Sequence, residues 1–161
     1  MDARLATLID TLDRAYDVRS WHGPNLRGSL RGVHAEEAAR RSAPGRHNAW
    51  EVAVHCAYWK YRVAYLLDPA APRTFDEKGS DWFERPTGSA REPAWRSDLE
   101  RLSAWHQRLR GAVVEFDPVR LDDRSGRGEF TFAGLIAGIA AHDLYHAGQI
   151  RLVRRLVARA G

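Results

Sequence analysis

The sequence predicts an all-α protein, a four-helix bundle, on three observations. Four separate stretches carry a helical hydrophobic period, recognisable start and stop residues bracket them, and the connections between them are unusually long. The first stretch puts Leu5, Leu8, Ile9, Leu12, Ala15 and Tyr16 on one face, and Gly23-Pro24 marks its end. The second runs from Asn48, a residue type that accepts free N–H groups at a helix start, to Leu67, where Asp68-Pro69 stops it. Its stripe is Val52, His55/Cys56, Trp59, Val63 and Leu66. The third begins near Glu92-Pro93, with proline in the first turn where its missing N–H does no harm, and ends before Pro118. Trp95, Leu99, Leu102, His106, Leu109, Val113 and Phe116 follow one another there at steps of four and three, the seam spacing of a bundle helix. The fourth starts near Thr131, an N-cap residue, and continues almost to the C-terminus on the stripe Leu135, Ile139, His142, His146, Ile150, Val153 and Val157.

Residues 17–47 join the first two stretches and hold a short helical segment around Ala35 to Arg41. Residues 69–92 join the second to the third, and Val119 to Phe130, rich in Asp, Ser and Gly turn signals, suggests a small hairpin before the fourth. Connections this long carry function or cross over a bundle. A 20-residue helix is about 30 Å long and 24 extended residues reach about 80 Å, so a full-length crossover is within reach. The bundle expected is therefore not simply up-down-up-down. At 161 residues the chain is read as one domain spanning residues 1–161.

Composition excludes several classes. With 44% hydrophobic and 29% charged residues the chain reads as an ordinary globular protein. The longest weakly polar run, Phe130 to Ala141, falls short of the roughly 20 apolar residues that span a bilayer. Asp2 and Arg4 precede an amphipathic stretch and give no signal-peptide pattern, so a cytoplasmic protein is expected. One cysteine, Cys56, rules out an internal disulfide framework and a multi-cysteine zinc knot. The net charge of +4 comes from 25 basic and 21 acidic residues, and the basic ones, all Arg except Lys60 and Lys78, are scattered among acids. The densest cluster, Arg151, Arg154, Arg155 and Arg159, lies where basic side chains oppose a helix dipole. Neither a nucleic-acid nor a membrane partner is called for.

The chemistry is in the histidines. His142 and His146, spaced i, i+4, project from one helical face about a turn apart, the spacing by which two imidazoles hold one metal ion. With seven histidines in 161 residues, about 0.3 such pairs arise by chance, so the pair alone is weak. Its place on the core stripe between Ile139 and Ile150 strengthens it, because buried imidazoles need partners and a shared metal satisfies both. His55, flanked by Val52 and Trp59 on the apolar side of the second helix, supplies a third ring. Three imidazoles meeting at the bundle axis would leave a divalent ion with open positions, the mark of a catalytic rather than a structural site. The alternative is that each is a core histidine bonded to a neighbour, and spacing does not choose between them.

The string His142-Asp143-Leu144-Tyr145-His146-Ala147-Gly148-Gln149-Ile150 resembles the C-terminal signature of the DinB/YfiT-like superfamily. So does a histidine one turn before a tryptophan in the second helix (His55, Trp59), and the Trp21-His22-Gly23-Pro24 turn is similar to one branch of it. The resemblance runs through essentially the whole chain. It implies an up-down-down-up four-helix bundle, often a homodimer, with a nickel or zinc ion on three histidines, matched here by His55, His142 and His146.

Other residues are assigned by position. His106 lies on the third seam as a core or pocket-lining histidine rather than a fourth ligand. His22 is a loop residue with the mouth of the site as its alternative, and His34 and His47 read as helix-start or loop residues. Cys56, about 100° around the helix from His55, packs as a small apolar group. Trp59 and Tyr145 are core or pocket wall; Asp143 and Gln149 orient a ligand imidazole or serve helix packing. An open tri-histidine ion either makes a nucleophile of a bound water or holds a thiol as thiolate. The resemblance implies the second: a transferase using a low-molecular-weight thiol and a small-molecule substrate. No Asp or Glu has an obvious spacing for a general base, which makes a metal-dependent hydrolase the weaker alternative. A non-enzymatic metal- or small-ligand-binding dimer is the third.

Overall fold

The structure, a computed structural model, describes residues 2–77, 79–88, 91–126 and 128–159. Its helices are α1 (Ala3–Tyr16), α2 (Leu26–Leu30), α3 (Ala35–Ala39), α4 (Ala49–Leu67), α5 (Arg91–Val114) and α6 (Phe132–Arg159), with a 3-10 helix at Pro118–Asp122 between the last two. The starts follow from local chemistry. The Asp2 carboxylate accepts the N–H groups of Arg4 (2.9 Å) and Leu5 (3.1 Å). At α4 the Asn48 side chain accepts the Glu51 N–H (2.9 Å) while the Glu51 carboxylate accepts the Asn48 N–H, a reciprocal capping box. Thr131 Oγ1 accepts the Gly134 N–H (3.1 Å) at the start of α6.

The first helix stops at Tyr16, where its apolar stripe ends and the expected connection of residues 17–47 begins. The Asn25 amide donates to the Val18 carbonyl (2.9 Å) and its oxygen accepts the Gly28 N–H (2.8 Å), so one side chain closes the turn after α1 and starts α2. The expected hairpin is absent. Asp117 caps Val119 (3.0 Å), the buried Leu121 anchors the 3-10 helix, and a single antiparallel bridge, Arg124 with Thr131, is all the pairing formed; no strand occurs among the described residues.

Side-chain pairings fix the directions of the long helices. Along α4 and α5, Trp50 meets Asp98 and Lys60 meets His106, so these two run parallel. Val52 and His55 of α4 share one cavity lining with His146 to Leu156 of α6, and Val63 and Leu66 share another with Phe130 to Ile139, so α4 and α6 are antiparallel. On α1, Asp13 meets Arg110 and Tyr16 meets His106, antiparallel to α5, while Arg4 reaches Asp122 at the α6 end where that helix begins. The result is up-down-down-up, with α1 packed on α5 and α6 and α4 packed on the same two. Helices α1 and α4, consecutive among the long ones, are therefore diagonal, which is why residues 17–48 need such length.

Apolar packing divides into two clusters. One gathers Trp50, Trp95, Leu26 and Ile150; the other gathers Leu12, Leu109, Leu121 and Ile136. Between them lie polar residues of three long helices: buried Lys60 on α4, buried His106 on α5, and half-buried His142 with buried Asp143 and His146 on α6. The connection between α4 and α5 is tied down from several sides. Arg85 reaches Asp98 (2.8 Å) and Glu77 (3.0 Å), Tyr61 Oη donates to the Arg73 carbonyl (2.7 Å), and Phe83 is buried in the first cluster. That anchoring presents Asp81 and Trp82 to α4.

Candidate metal centre

His55 on α4 meets His142 and His146 on α6 where the antiparallel helices cross. His142 Nε2 lies 3.2 Å from His55 Nε2 and 3.0 Å from His146 Nε2. Three nitrogens on one tetrahedral zinc at about 2.05 Å stand about 3.3 Å apart, so this spacing fits a shared ion. Proton bookkeeping points the same way. His55 Nδ1 faces the Asp81 carbonyl (2.9 Å), an acceptor only, so it carries the hydrogen and leaves Nε2 a bare lone pair. His146 Nδ1 faces Gln149 Oε1 (2.7 Å), an orientation set by Gln149 Nε2 donating to Tyr145 Oη (2.9 Å), with the same consequence. His142 has at most one Nε2 proton to offer two lone pairs, and its own Nδ1 is buried without a partner among the described residues. A cation at the common point satisfies all three.

Burial keeps the rings neutral. Desolvation, helped by the neighbouring rings and Lys60, holds His142 down to about 3. Desolvation also holds His146 down to about 4 against the Gln149 hydrogen bond, and His55 below its ordinary value against Asp81. Neutral imidazole is the form that ligates a metal, and the three residues form a group that could hold one.

The centre opens on a cavity of about 840 Å³. Val52, Leu152, Val153 and Leu156 give it an apolar wall, with Arg46 and Asp81 as its charged groups. Trp82 is sandwiched between His47 (centroids 3.6 Å, planes 8° apart) and His55 (3.9 Å, 9°), which fixes the plane of the His55 ring. Asp81 brings its carboxylate to 3.8 Å from His55 Nδ1.

Behind the rings lies a buried polar layer. Lys60 and Asp143, both wholly inaccessible, form an ion pair; Lys60 Nζ also lies 3.4 Å from His106 Nδ1 and 5.0 Å above the Tyr16 ring. Tyr16 stacks on His106 at 3.7 Å. Burial pushes the Asp143 carboxyl up to about 6 with Lys60 opposing, and desolvation followed by the Lys60 charge holds His106 down to about 3. Cys56 is buried against this layer and its thiol is pushed well up by burial, so it packs as an apolar group.

The structure thus brings together His55, His142 and His146, with Trp59, Tyr145 and Gln149 in the cavity wall. His22 is not at the mouth: it is exposed beside Trp21, itself 96% exposed, away from the cavity lining. His106 is the core histidine, not part of the cavity. Asp143 faces Lys60 in the interior, with an oxygen within 4.8 Å of a His142 ring nitrogen and of Cys56 Sγ. No Asp or Glu shows an obvious spacing for a general base in the sequence, and the structure brings Asp81 into the cavity wall. Sequence reasoning also missed Trp82, Arg46 and Lys60. For Lys60 a signal existed, since almost everything else from Ala49 to Leu67 is apolar on all sides and a helix of that kind is buried.

Compared with protein families, the chain matches the DinB superfamily over residues 20–150. No curated protein and no solved structure matches it.

Proposed function

The chain belongs to the DinB superfamily, and from that membership and the three converging rings we propose a metal-dependent S-transferase acting on small molecules in the cytoplasm. His55, His142 and His146 hold a divalent zinc or nickel ion, and a low-molecular-weight thiol is the co-substrate. When bound, the ion supplies the positive charge that keeps a thiol deprotonated near neutral pH. The protein's part is placement. The Asp81 carbonyl and Gln149 fix two imidazoles by their Nδ1 atoms, Trp82 fixes a ring plane, and Val52, Leu152 and Leu156 give the approach an apolar wall. In the transfer a sulfur–carbon bond forms, the carbon–leaving-group bond breaks with its electron pair going to the leaving group, and the thiol proton passes to solvent. The observation that carries this reading is the convergence of three neutral Nε2 atoms beside a roomy, mostly apolar cavity.

Asp81 supports a second reading. A carboxylate beside the centre is the group a metal-dependent hydrolase uses to take a proton from water. A homodimer belongs to the proposal too, with Leu152 and Leu156 as its apolar contact, and light scattering reads it. The deciding assay is conjugation of monobromobimane or chlorodinitrobenzene with several thiols, with and without Zn²⁺ or Ni²⁺. Metal-dependent turnover with one thiol above the others is expected. No activity above background with any thiol and metal would remove the transferase reading, and Asp81-dependent ester hydrolysis in its place would favour the second. Metal binding with neither activity would leave a non-enzymatic metal- or ligand-binding dimer.

A further inference from the structure

Trp59 and His142 each line two cavities, not one. Beyond the large cavity, a second of about 240 Å³ lies between α4 and the N-terminal half of α6. Its walls are Trp59, Val63 and Leu66 from α4 with Leu135 and Ile139 from α6, and Phe130 stands at its rim, 63% exposed. A glycine opens it. A Cβ built on Gly138 meets no atom within 4 Å, so the space over α6 is open where Gly138 has no side chain, whereas one on Gly134 would come within 3.2 Å of Thr131 Oγ1. The one charged lining residue, Arg62, already donates to Tyr58 Oη (2.9 Å) and lies over that ring. A ligand here would meet mostly apolar walls with the Arg62 guanidinium at one side, and the volume is below the usual range for drug-sized molecules.

We propose that this second cavity is the binding site of the transferase's other substrate, a compact, largely apolar electrophile. The assignment rests on the transferase reading. A two-substrate reaction needs two sites that share an edge at the reacting centre. The ring that would hold the ion from one side, His142, is a wall of the small cavity on the other. The competing occupant is a second copy of this chain laid over Leu66 and Phe130.

An inert probe tests this without turnover: 4-fluorobenzyl alcohol, followed by ¹⁹F NMR on protein loaded with Zn²⁺ or with paramagnetic Co²⁺. Saturable binding is expected, with faster ¹⁹F relaxation of the bound probe in the Co²⁺ protein. Gly138→Phe fills the space, and should weaken the probe at least tenfold and abolish the Co²⁺ effect. The Co²⁺ absorption band should be unchanged, which shows the centre intact. Gly138→Val, a smaller plug, should weaken the probe by a lesser factor and supplies the answer where the larger residue disturbs folding. Probe affinity within twofold of the parent in both variants overturns the proposal. So does a dimer that Gly138→Phe dissociates while the parent dimer excludes the probe. Failure of the protein to take up Co²⁺ counts against the transferase reading instead, and probe binding to metal-free protein still reports on the cavity.

Discussion

Replacing Lys60 by Met removes the only partner that a wholly buried carboxylate has among the described residues. Asp143 Oδ2 faces Lys60, and Asp143 Oδ1 has no hydrogen-bond partner among the described residues, so Lys60→Met leaves the group with none. Its escape is to take up a proton. Holding a proton at pH 7 on a carboxyl of ordinary value 3.8 costs 2.303RT for each pH unit between them, about 4.4 kcal/mol. That agrees with the roughly 3–5 kcal/mol seen when one member of a buried pair is removed. For a chain of this size it corresponds to a melting temperature lower by about 6–20 °C. From pH 7 to pH 5 the variant, whose buried carboxyl stays protonated, gains about 2.7 kcal/mol while the parent, with Asp143 at about 6, gains about 1.3, so the loss should shrink to about 3 kcal/mol at pH 5. Lys60→Met with Asp143→Leu removes the charge together with its partner and should recover most of the loss. Urea unfolding of the parent, the single and the double variant at pH 7 and pH 5 gives all these numbers. A loss under about 1 kcal/mol for Lys60→Met at pH 7, or a double variant no better than the single, would mean the pair is hydrated and the buried layer is misread.

Three further outcomes follow from the same geometry. His142→Ala should lower zinc affinity by more than about a hundredfold, and Gln149→Leu, which takes away only the acceptor of His146 Nδ1, by about 10–100-fold; calorimetric titration of both with circular dichroism controls reads this. Because burial holds the His142 and His146 rings down to about 3 and about 4, zinc should meet little proton competition. Between pH 7.5 and 5.5 affinity should fall by less than about tenfold, where three ordinary histidines would lose about a thousandfold. His106, neutral in the folded state down to about 3 against 6.5 when free, makes the protein acid-labile. Below pH 6.5 the unfolded state takes up a proton that the folded state refuses, so stability falls with pH, by about 2 kcal/mol at pH 5 from this residue alone, and His106→Phe should flatten that slope in urea melts.

What the sequence displays of the fold is what burial writes as a period. Leu5 to Tyr16, Trp95 to Phe116 and Leu135 to Val157 each repeat over three or more turns, and Asn48 and Thr131 cap where their chemistry requires. Helix α2 is five residues long, too short for any period to show, and the Pro118–Asp122 turn depends on one buried leucine. The site divides along the same line. His55, His142 and His146 are visible because they interrupt aliphatic stripes. Asp81 and Trp82 come from an irregular connection in which nothing repeats, so only the length of residues 69–92 hinted that something there had work to do. Lys60 is hidden for the opposite reason: lysine is almost always exposed, and only the apolar character of its whole helix argues otherwise.

The three rings are not held equally, and the inequality has a direction. His146 is oriented from its own helix by Gln149, three residues on, so its geometry survives as long as α6 does. His55 is oriented by the Asp81 carbonyl and by stacking on Trp82, both from the connection between α4 and α5. That connection is held in turn by Arg85, bonded to Asp98 on α5 and to Glu77 within the connection itself. Its other anchors are Tyr61 on the Arg73 carbonyl and the burial of Phe83. The bundle alone therefore orients His146, whereas His55 takes its orientation from a non-helical segment packed against α4. A site built this way carries its ligating residues on helices and leaves the orientation of His55, together with one wall of the large cavity, to residues 69–90, where positions such as Asp81 are not part of the core. Within such a bundle, specificity is free to diverge in the connection while the chemistry stays on the helices.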